Sequence, residues 1–123
     1  MYRISKLYTF AAAHQLGYLP DDHPCSRLHG HNYTVEVHLT SDHLNLNDFV
    51  MDFNALDRLM EPIITAVDHH DLNFILGSRF RTTSENLSKL FFDRLQTDIA
   101  NAGVILEKVR VSETSKTWAE YTP

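Results

Sequence analysis

Three histidines occupy positions from which a folded chain could bring them to one metal ion. His29 and His31 flank a single residue at the start of an alternating segment, so both side chains leave the same face of a strand. That face is the apolar one, because Tyr33 continues the same parity. His14 ends an earlier alternating segment in phase with its apolar residues, so pairing of the two strands would add a third imidazole. Three neutral imidazoles and one open position are typical of catalytic zinc, so the sequence predicts one Zn²⁺ here. The alternative is three separate core histidines.

Cys25 lies four residues before His29 and is the only cysteine, so it has no partner for an internal disulfide. The residues leave three interpretations open. The thiol could be the fourth ligand of a closed structural zinc site. It could instead lie beside an open zinc site, where nearby positive charge favours the thiolate and makes it a general base. It could also be an inert small hydrophobe, although the polar neighbours Ser26 and Arg27 argue against that.

An acidic and imidazole-rich segment, Asp68-His69-His70-Asp71, follows directly on a predicted helix. A carboxylate beside an imidazole can fix the ring's tautomer and raise its basicity, as in catalytic relays. The alternative is a solvated helix end, where histidine is favoured by the helix dipole. The residues alone do not decide between these two interpretations. They also do not decide whether His69 or His70 would be the imidazole of the pair.

Glu113 falls in phase with Val109 and Val111 on the inward face of the last predicted strand. A carboxylate that faces inward needs a partner. A heterocycle that offers two N–H groups would serve as one, and an arginine of the protein itself would serve equally well. The sequence therefore marks Glu113 as a candidate ligand-binding residue.

The hydrophobic pattern predicts three strands and two amphipathic helices, in the order strand, strand, helix, helix, strand. This order predicts an α+β fold in which both helices cover one face of a mostly antiparallel sheet. The second helix opens at a capping box from Thr82 to Glu85, and capping alone explains hydroxyls at Thr82, Thr83 and Ser84. A polar and aromatic tail follows the last strand. The predicted strands are Arg3 to Ala13, His29 to Ser41 and Val104 to Thr114, and the first helix is Asn54 to Val67, in which Pro62 favours a kink.

Length and composition exclude several classes of protein. A chain of 123 residues is long enough for one domain with a hydrophobic core, so we expect a single domain over residues 1–123. The net charge of −5 argues against a nucleic-acid partner or an anionic membrane surface. No apolar stretch approaches the roughly 20 residues of a membrane span, and the amino terminus lacks the apolar segment of a signal peptide, so we expect a cytoplasmic protein.

Six motifs together resemble the 6-pyruvoyl-tetrahydropterin synthase family across nearly the whole chain. Within that family, the three residues between the cysteine and His-Gly-His are similar to the 6-carboxytetrahydropterin synthase branch, which serves the biosynthesis of queuosine and other 7-deazapurines. The motifs are Phe10 to His14, Cys25 to Tyr33, Asp52-Phe53, Asp68 to Asn73, Thr83 to Leu87 and Val111 to Thr114.

The resemblance implies a fold, an assembly and a reaction. The fold is the tunnelling fold (T-fold), an antiparallel four-stranded sheet with two helices on one face. Subunits assemble as hexamers whose sheets close into barrels, with active sites at subunit interfaces. The reaction is a zinc-dependent lyase reaction with one Zn²⁺ per subunit, in which 7,8-dihydroneopterin triphosphate gives 6-carboxy-5,6,7,8-tetrahydropterin, acetaldehyde and triphosphate.

The resemblance also implies a role for each candidate residue. His14, His29 and His31 would bind the zinc. Cys25 would act as a thiolate that moves protons along the substrate side chain, and Asp68 with His69 would complete the proton relay. Glu113 would accept the N–H groups of the pterin. The remaining residues of the pterin pocket would be Thr83, Ser84 and Glu85.

Two alternatives and one open question remain. The same site could yield 6-pyruvoyl-tetrahydropterin instead, or the chain could be a non-catalytic zinc-binding module in which Cys25 is the fourth ligand. Arg81 stands where relatives often have proline, so the loop of the pterin pocket could differ in shape. The triphosphate site is unassigned, because a solvated surface charge explains each candidate as well: Arg27, Arg79, Arg81 and Lys116.

Overall fold

One sheet of five strands runs through the computed structural model, which describes residues 1–123. The strands are β1 (Tyr2–His14), β2 (His29–Ser41), β3 (His70–Asp71), β4 (Ile105–Thr114) and β5 (Thr117–Tyr121). They lie in the order β3-β1-β2-β4-β5, and all pairs are antiparallel except β1 with β3. β1 and β2 pair along their whole lengths, so the end of β1 meets the start of β2.

The helices pack on one face of this sheet. They are α1 (Phe53–Val67), the short α2 (Leu72–Leu76) and α3 (Ser84–Asn101). The alternate β2 residues from Tyr33 to Leu39 are fully buried, as their alternation predicts. They join the apolar stripes of α1 and α3 in a cluster of 21 buried residues. No helix of this structure is both long enough and apolar enough to cross a membrane.

The predicted α+β fold is confirmed, but two details differ from the sequence-based expectation. The sheet has five strands rather than four, because two residues before α2 pair parallel to β1 and the C-terminal tail pairs with β4 as β5. α2 was not predicted. α1 continues through Pro62 to Val67, where the sequence predicts its end.

The start of α3 also corrects the predicted capping box. The N-cap is Thr83 rather than Thr82, and the Thr83 hydroxyl accepts a hydrogen bond from the backbone N–H of Asn86 at 3.2 Å. Thr82 is completely buried and turns its polar atoms toward β1. The two threonines therefore have different roles: Thr83 caps α3, and Thr82 contacts His14 of β1.

Candidate active site

The three histidines meet where β1 ends and β2 begins. His14 and His29 are directly opposite in the antiparallel register, and His31 lies one pleat further along the same face. The ring centroids of His14 and His29 are 4.6 Å apart, and that of His31 lies 5.2 Å from the first and 4.8 Å from the second. Each ring offers one nitrogen, and these nitrogens all lie within 4.8 Å of one another. The cluster could therefore hold a metal ion.

Backbone carbonyl oxygens fix the tautomers of two of the rings. His14 Nδ1 donates to the carbonyl oxygen of Thr82 at 2.9 Å and lies 3.0 Å from the hydroxyl of the same residue. His29 Nδ1 donates to the carbonyl oxygen of Arg27 at 2.6 Å. Because a carbonyl only accepts, each Nδ1 carries the proton and each Nε2 keeps its lone pair. Metal-binding histidines are usually held in this way through the nitrogen that does not bind the metal.

Burial favours the neutral form of the imidazoles. Desolvation lowers the pKa of His14 and of His31, although the nearby carboxylate of Glu113 opposes this effect. The Nε2 atoms of both rings are buried and have no hydrogen-bond partner. Buried polar atoms are normally satisfied, so two unpartnered lone-pair donors that approach one point fit a bound cation.

Thr82 gives the first testable expectation for this cluster. We expect Thr82→Val to weaken zinc affinity about tenfold, because it removes one of the two oxygens that orient His14 while keeping the side-chain shape. Competition with a chromophoric chelator measures the affinity. Ser88→Ala is the matched control, since it removes an equally buried hydroxyl that bonds only within α3. Equal zinc affinity in wild type and Thr82→Val would contradict the orienting role.

Glu113 lies at the border between the cluster and a cavity of about 450 Å³. Its Oε2 is 3.6 Å from His31 Nε2. No lysine or arginine nitrogen lies within 4.0 Å of this carboxylate, so the internal arginine partner is absent. The cavity wall includes all four residues named as pterin-binding candidates: Thr83, Ser84, Glu85 and Glu113.

The cavity also has lining residues that the sequence did not mark. Thr117, Trp118 and Ala119 of β5 form part of its wall, together with Leu16 from the loop after β1. The alternation of polar and apolar residues in the tail could have indicated this strand, but five residues give a weak signal. The sequence marks Tyr33 only as a residue of the apolar face, yet its fully buried hydroxyl has no hydrogen-bond partner and its ring centroid is 5.4 Å from that of His31.

Cys25 lies near the cavity but outside the histidine cluster. It occupies a single turn of 3-10 helix, Pro24–Ser26, and its side chain is half-buried. Its carbonyl oxygen accepts a hydrogen bond from the backbone N–H of Leu16 at 2.7 Å, which fastens this turn to the cavity wall. The thiol does not belong to the group of clustered ligand atoms. This placement favours an open metal site over a closed one of three histidines and a cysteine.

Asp68 and His69 form a pair at the β1 edge of the sheet. Their Oδ1 and Nδ1 atoms are 3.0 Å apart, and the backbone N–H of Ala11 donates to the same Oδ1 at 2.9 Å. That hydrogen bond, aided by His69, holds the pKa of the Asp68 carboxyl below its usual range. His69 has a left-handed φ of 61°, and its side chain is 82% exposed. A non-glycine residue held at positive φ is often functional.

Within one chain this pair has no direct polar link to the other candidate residues. No hydrogen bond or ion pair joins either side chain to Cys25 or to a ring of the histidine cluster. His69 lines a second cavity of about 510 Å³, whose wall also includes His31 of the cluster and neighbouring residues of β1 and β2. His70 is exposed in β3 and makes no ion pair, so the carboxylate–imidazole pair forms with His69.

Comparison with known proteins defines the class of this fold and site. Residues 3–123 match the family described as 6-pyruvoyl tetrahydropterin synthase, and the chain belongs to that family. It is 36% identical to the 6-carboxy-5,6,7,8-tetrahydropterin synthase of Synechocystis, over 98% of this chain and 93% of that protein. It is 30% identical to the protein of the same name from Aquifex aeolicus, over 98% and 97% of the two chains.

The solved structures agree with this assignment. The 6-pyruvoyl tetrahydropterin synthase of Caenorhabditis elegans superposes with a TM-score of 0.87 at 28% identity, covering 99% of this chain and 95% of that one. The expected family and the expected fold are therefore confirmed, and the chain is an enzyme of this family.

Proposed function

We propose that this chain is a zinc-dependent lyase that converts 7,8-dihydroneopterin triphosphate to 6-carboxy-5,6,7,8-tetrahydropterin, acetaldehyde and triphosphate. The observation that carries the proposal is the placement of the Glu113 carboxylate, which has no lysine or arginine partner, 3.6 Å from one ring of a three-histidine cluster. The Glu113 carboxylate can bind the N–H groups of a heterocycle, and the histidine cluster can bind a Lewis-acidic metal ion. A single small substrate can reach both. The relatives named for this activity support the choice of substrate.

Glu113 would orient the pterin. Its two carboxylate oxygens can accept the ring N–H and the 2-amino N–H of a pterin, a planar pair of donors that matches a carboxylate. Thr83, Ser84 and Glu85 lie on the same cavity wall at the start of α3 and would provide the remaining polar contacts. The substrate side chain, attached at the opposite end of the pterin, would then extend toward the histidines.

We expect Glu113→Gln to lower kcat/KM by roughly a hundredfold or more, because the amide replaces one acceptor with a donor that faces a substrate N–H. Steady-state kinetics should show most of the loss in KM. Zinc content should remain at the wild-type value, since Glu113 is outside the group of clustered ligand atoms. A variant with unchanged KM would rule out this anchoring role.

The histidine cluster would hold one Zn²⁺, which when bound supplies a Lewis acid for the substrate side chain. The chain's own residues would then move the protons. Cys25, as a thiolate on the turn that is fastened to the cavity wall, would remove and return protons on the side-chain carbons. Asp68 would hold the tautomer of His69, which can exchange protons at its exposed Nε2.

For this relay, His69 would come from a neighbouring subunit, since no hydrogen bond or ion pair joins the Asp68–His69 pair to Cys25 within one chain. The exposed side chain of His69 and two unpaired sheet edges support such an assembly. β1 has no strand beside it from Tyr2 to Phe10 on the side away from β2, and β5 has no outer neighbour. Closing these edges between copies would give the barrels of a hexamer. We also propose that the enzyme is cytoplasmic and acts in the biosynthesis of queuosine and related 7-deazapurines.

The alternative product is 6-pyruvoyl-tetrahydropterin, the compound for which the Caenorhabditis elegans enzyme is named. The two outcomes differ by one step. Loss of triphosphate and internal rearrangement of the dihydropterin give the 6-pyruvoyl compound, and adding one water across the bond between its two carbonyls gives the 6-carboxy group and acetaldehyde. Acetaldehyde therefore distinguishes the two.

The test is incubation of the zinc-loaded protein with 7,8-dihydroneopterin triphosphate, followed by mass analysis of the pterin and an assay for acetaldehyde. The proposal predicts acetaldehyde and 6-carboxytetrahydropterin in equal amounts. A 6-pyruvoyl product without acetaldehyde would establish the alternative, and no change in the substrate would refute both.

A further inference from the structure

A third cavity, of about 620 Å³, carries a charge opposite to that of the whole protein. Its lining includes two cationic side chains, Arg79 and Arg81, and no aspartate or glutamate. The chain as a whole has a net charge of −5. Tyr18 and Ser78 add two hydroxyl groups to the same wall. The cavity therefore concentrates positive charge and hydrogen-bond donors, the combination that anions require.

Both arginines are free to bind a ligand. Neither has a carboxylate oxygen within 4.0 Å, although five other lysine and arginine side chains form ion pairs. The guanidinium carbon of Arg81 lies 3.9 Å from the centroid of the Tyr18 ring, a cation–π contact that helps to hold the group in place. The backbone at Arg81 is also fixed, since its carbonyl oxygen accepts from the Asn86 side chain at 2.9 Å.

Two residues that line this cavity are direct chain neighbours of the residues that form and orient the histidine cluster. Gln15, which lines the cavity, directly follows His14 in the chain. Arg81 directly precedes Thr82, whose carbonyl and hydroxyl oxygens orient the ring of His14. Gln15 is held in turn by two hydrogen bonds to the Asn73 side chain, at 2.8 and 2.9 Å. His14 is thus followed in the chain by Gln15, which lines the cationic cavity, and by Leu16, which lines the Glu113 cavity.

We propose that this cavity binds the triphosphate of the substrate, an inference that rests on the proposed function. A substrate whose pterin contacts Glu113 and whose side chain reaches the histidines has its phosphate chain at the far end of that side chain. Arginine forms paired hydrogen bonds to phosphate oxygens, so Arg79 and Arg81 suit this part of the ligand. Lys116 and Arg27 do not line the cavity and are left without this role.

Inorganic triphosphate tests the subsite without any pterin chemistry. By isothermal titration calorimetry, wild type should bind triphosphate, and the affinity should fall as salt is raised. We expect Arg79→Gln and Arg81→Gln each to weaken binding roughly tenfold, as loss of one charge-assisted pair does. Arg94→Gln is the matched control, because Arg94 is exposed, forms no ion pair and lies about 15 Å along α3 from its start. No binding to wild type, or equal weakening in all three variants, would overturn the proposal.

Kinetics with the full substrate separates failure of the subsite from failure of the proposed function. With 7,8-dihydroneopterin triphosphate, the two cavity variants should raise KM about tenfold, while Arg94→Gln should keep the wild-type KM. If turnover is normal and neither KM nor triphosphate affinity changes in the cavity variants, the subsite is wrong and the lyase function stands. If triphosphate affinity falls as expected but no variant or wild type transforms the pterin, the anion site stands and the proposed function is wrong.

Discussion

His31→Ala should lose zinc and activity together. His31 supplies one of three clustered imidazole nitrogens, and its Nε2 atom is buried with no hydrogen-bond partner. Removing residues that merely support a metal ligand weakens binding roughly 10–100-fold, so removing a ligand should weaken it by more than about a hundredfold. Turnover should fall at least as far at limiting metal. Metal analysis of the purified chain and competition with a chelator measure the loss.

His38→Ala is the matched control for this change. His38 lies on the same strand as His31 but on the outward face, where it contacts Glu36 rather than the cluster. It should keep wild-type zinc content and activity. Thermal unfolding of both variants shows whether each is folded. A folded His31→Ala protein that retains zinc at wild-type affinity would refute the assignment of the ligands.

Cys25→Ala should greatly slow turnover while zinc remains bound. The thiol is not one of the clustered ligand atoms, so its removal leaves all three imidazoles in place. A positioned acid–base group contributes about 10²–10⁴-fold to rate, and we expect kcat to fall within that range. The effect should appear in kcat rather than KM, since the proposed pterin contacts come from Glu113 and the residues at the start of α3.

Ser26→Ala provides the comparison for this loop. Ser26 belongs to the same 3-10 turn, and its hydroxyl bonds only to the carbonyl oxygen of Asp21 at 3.3 Å. It should retain nearly full activity, which would show that the turn tolerates a small substitution. If Cys25→Ala instead releases zinc, Cys25 is a ligand and the site is structural.

The parts of the site that lie on regular strands could be predicted from the sequence. Alternation places every second β2 residue on one face, so His29 and His31 had to join the apolar side with Tyr33. His14 followed from the same rule on β1. The register that sets His14 opposite His29 could not be read from either strand, because it depends on how the two strands pair along their whole lengths.

The contacts made by loops could not be predicted. The sequence predicts Thr82 as part of the helix cap because hydroxyl residues before a helix usually are N-caps. In the structure Thr82 instead contacts His14, and Thr83 is the N-cap. β5 was missed because a short strand at a chain end has little periodic signal of its own and gains its order by pairing with β4. His69 has a left-handed backbone conformation and an exposed side chain, and the hydrophobic pattern of the sequence indicates neither.

Zinc K-edge X-ray absorption on the zinc-loaded wild-type chain tests the open three-histidine site most directly. We expect one zinc per chain, surrounded only by nitrogen and oxygen atoms at about 2.0–2.1 Å, with the scattering pattern of imidazole rings. The histidine cluster and the separate thiol of Cys25 both lead to this result. A sulfur atom at about 2.3 Å from zinc would contradict it, because that distance is typical of a bound cysteine and of a closed structural site.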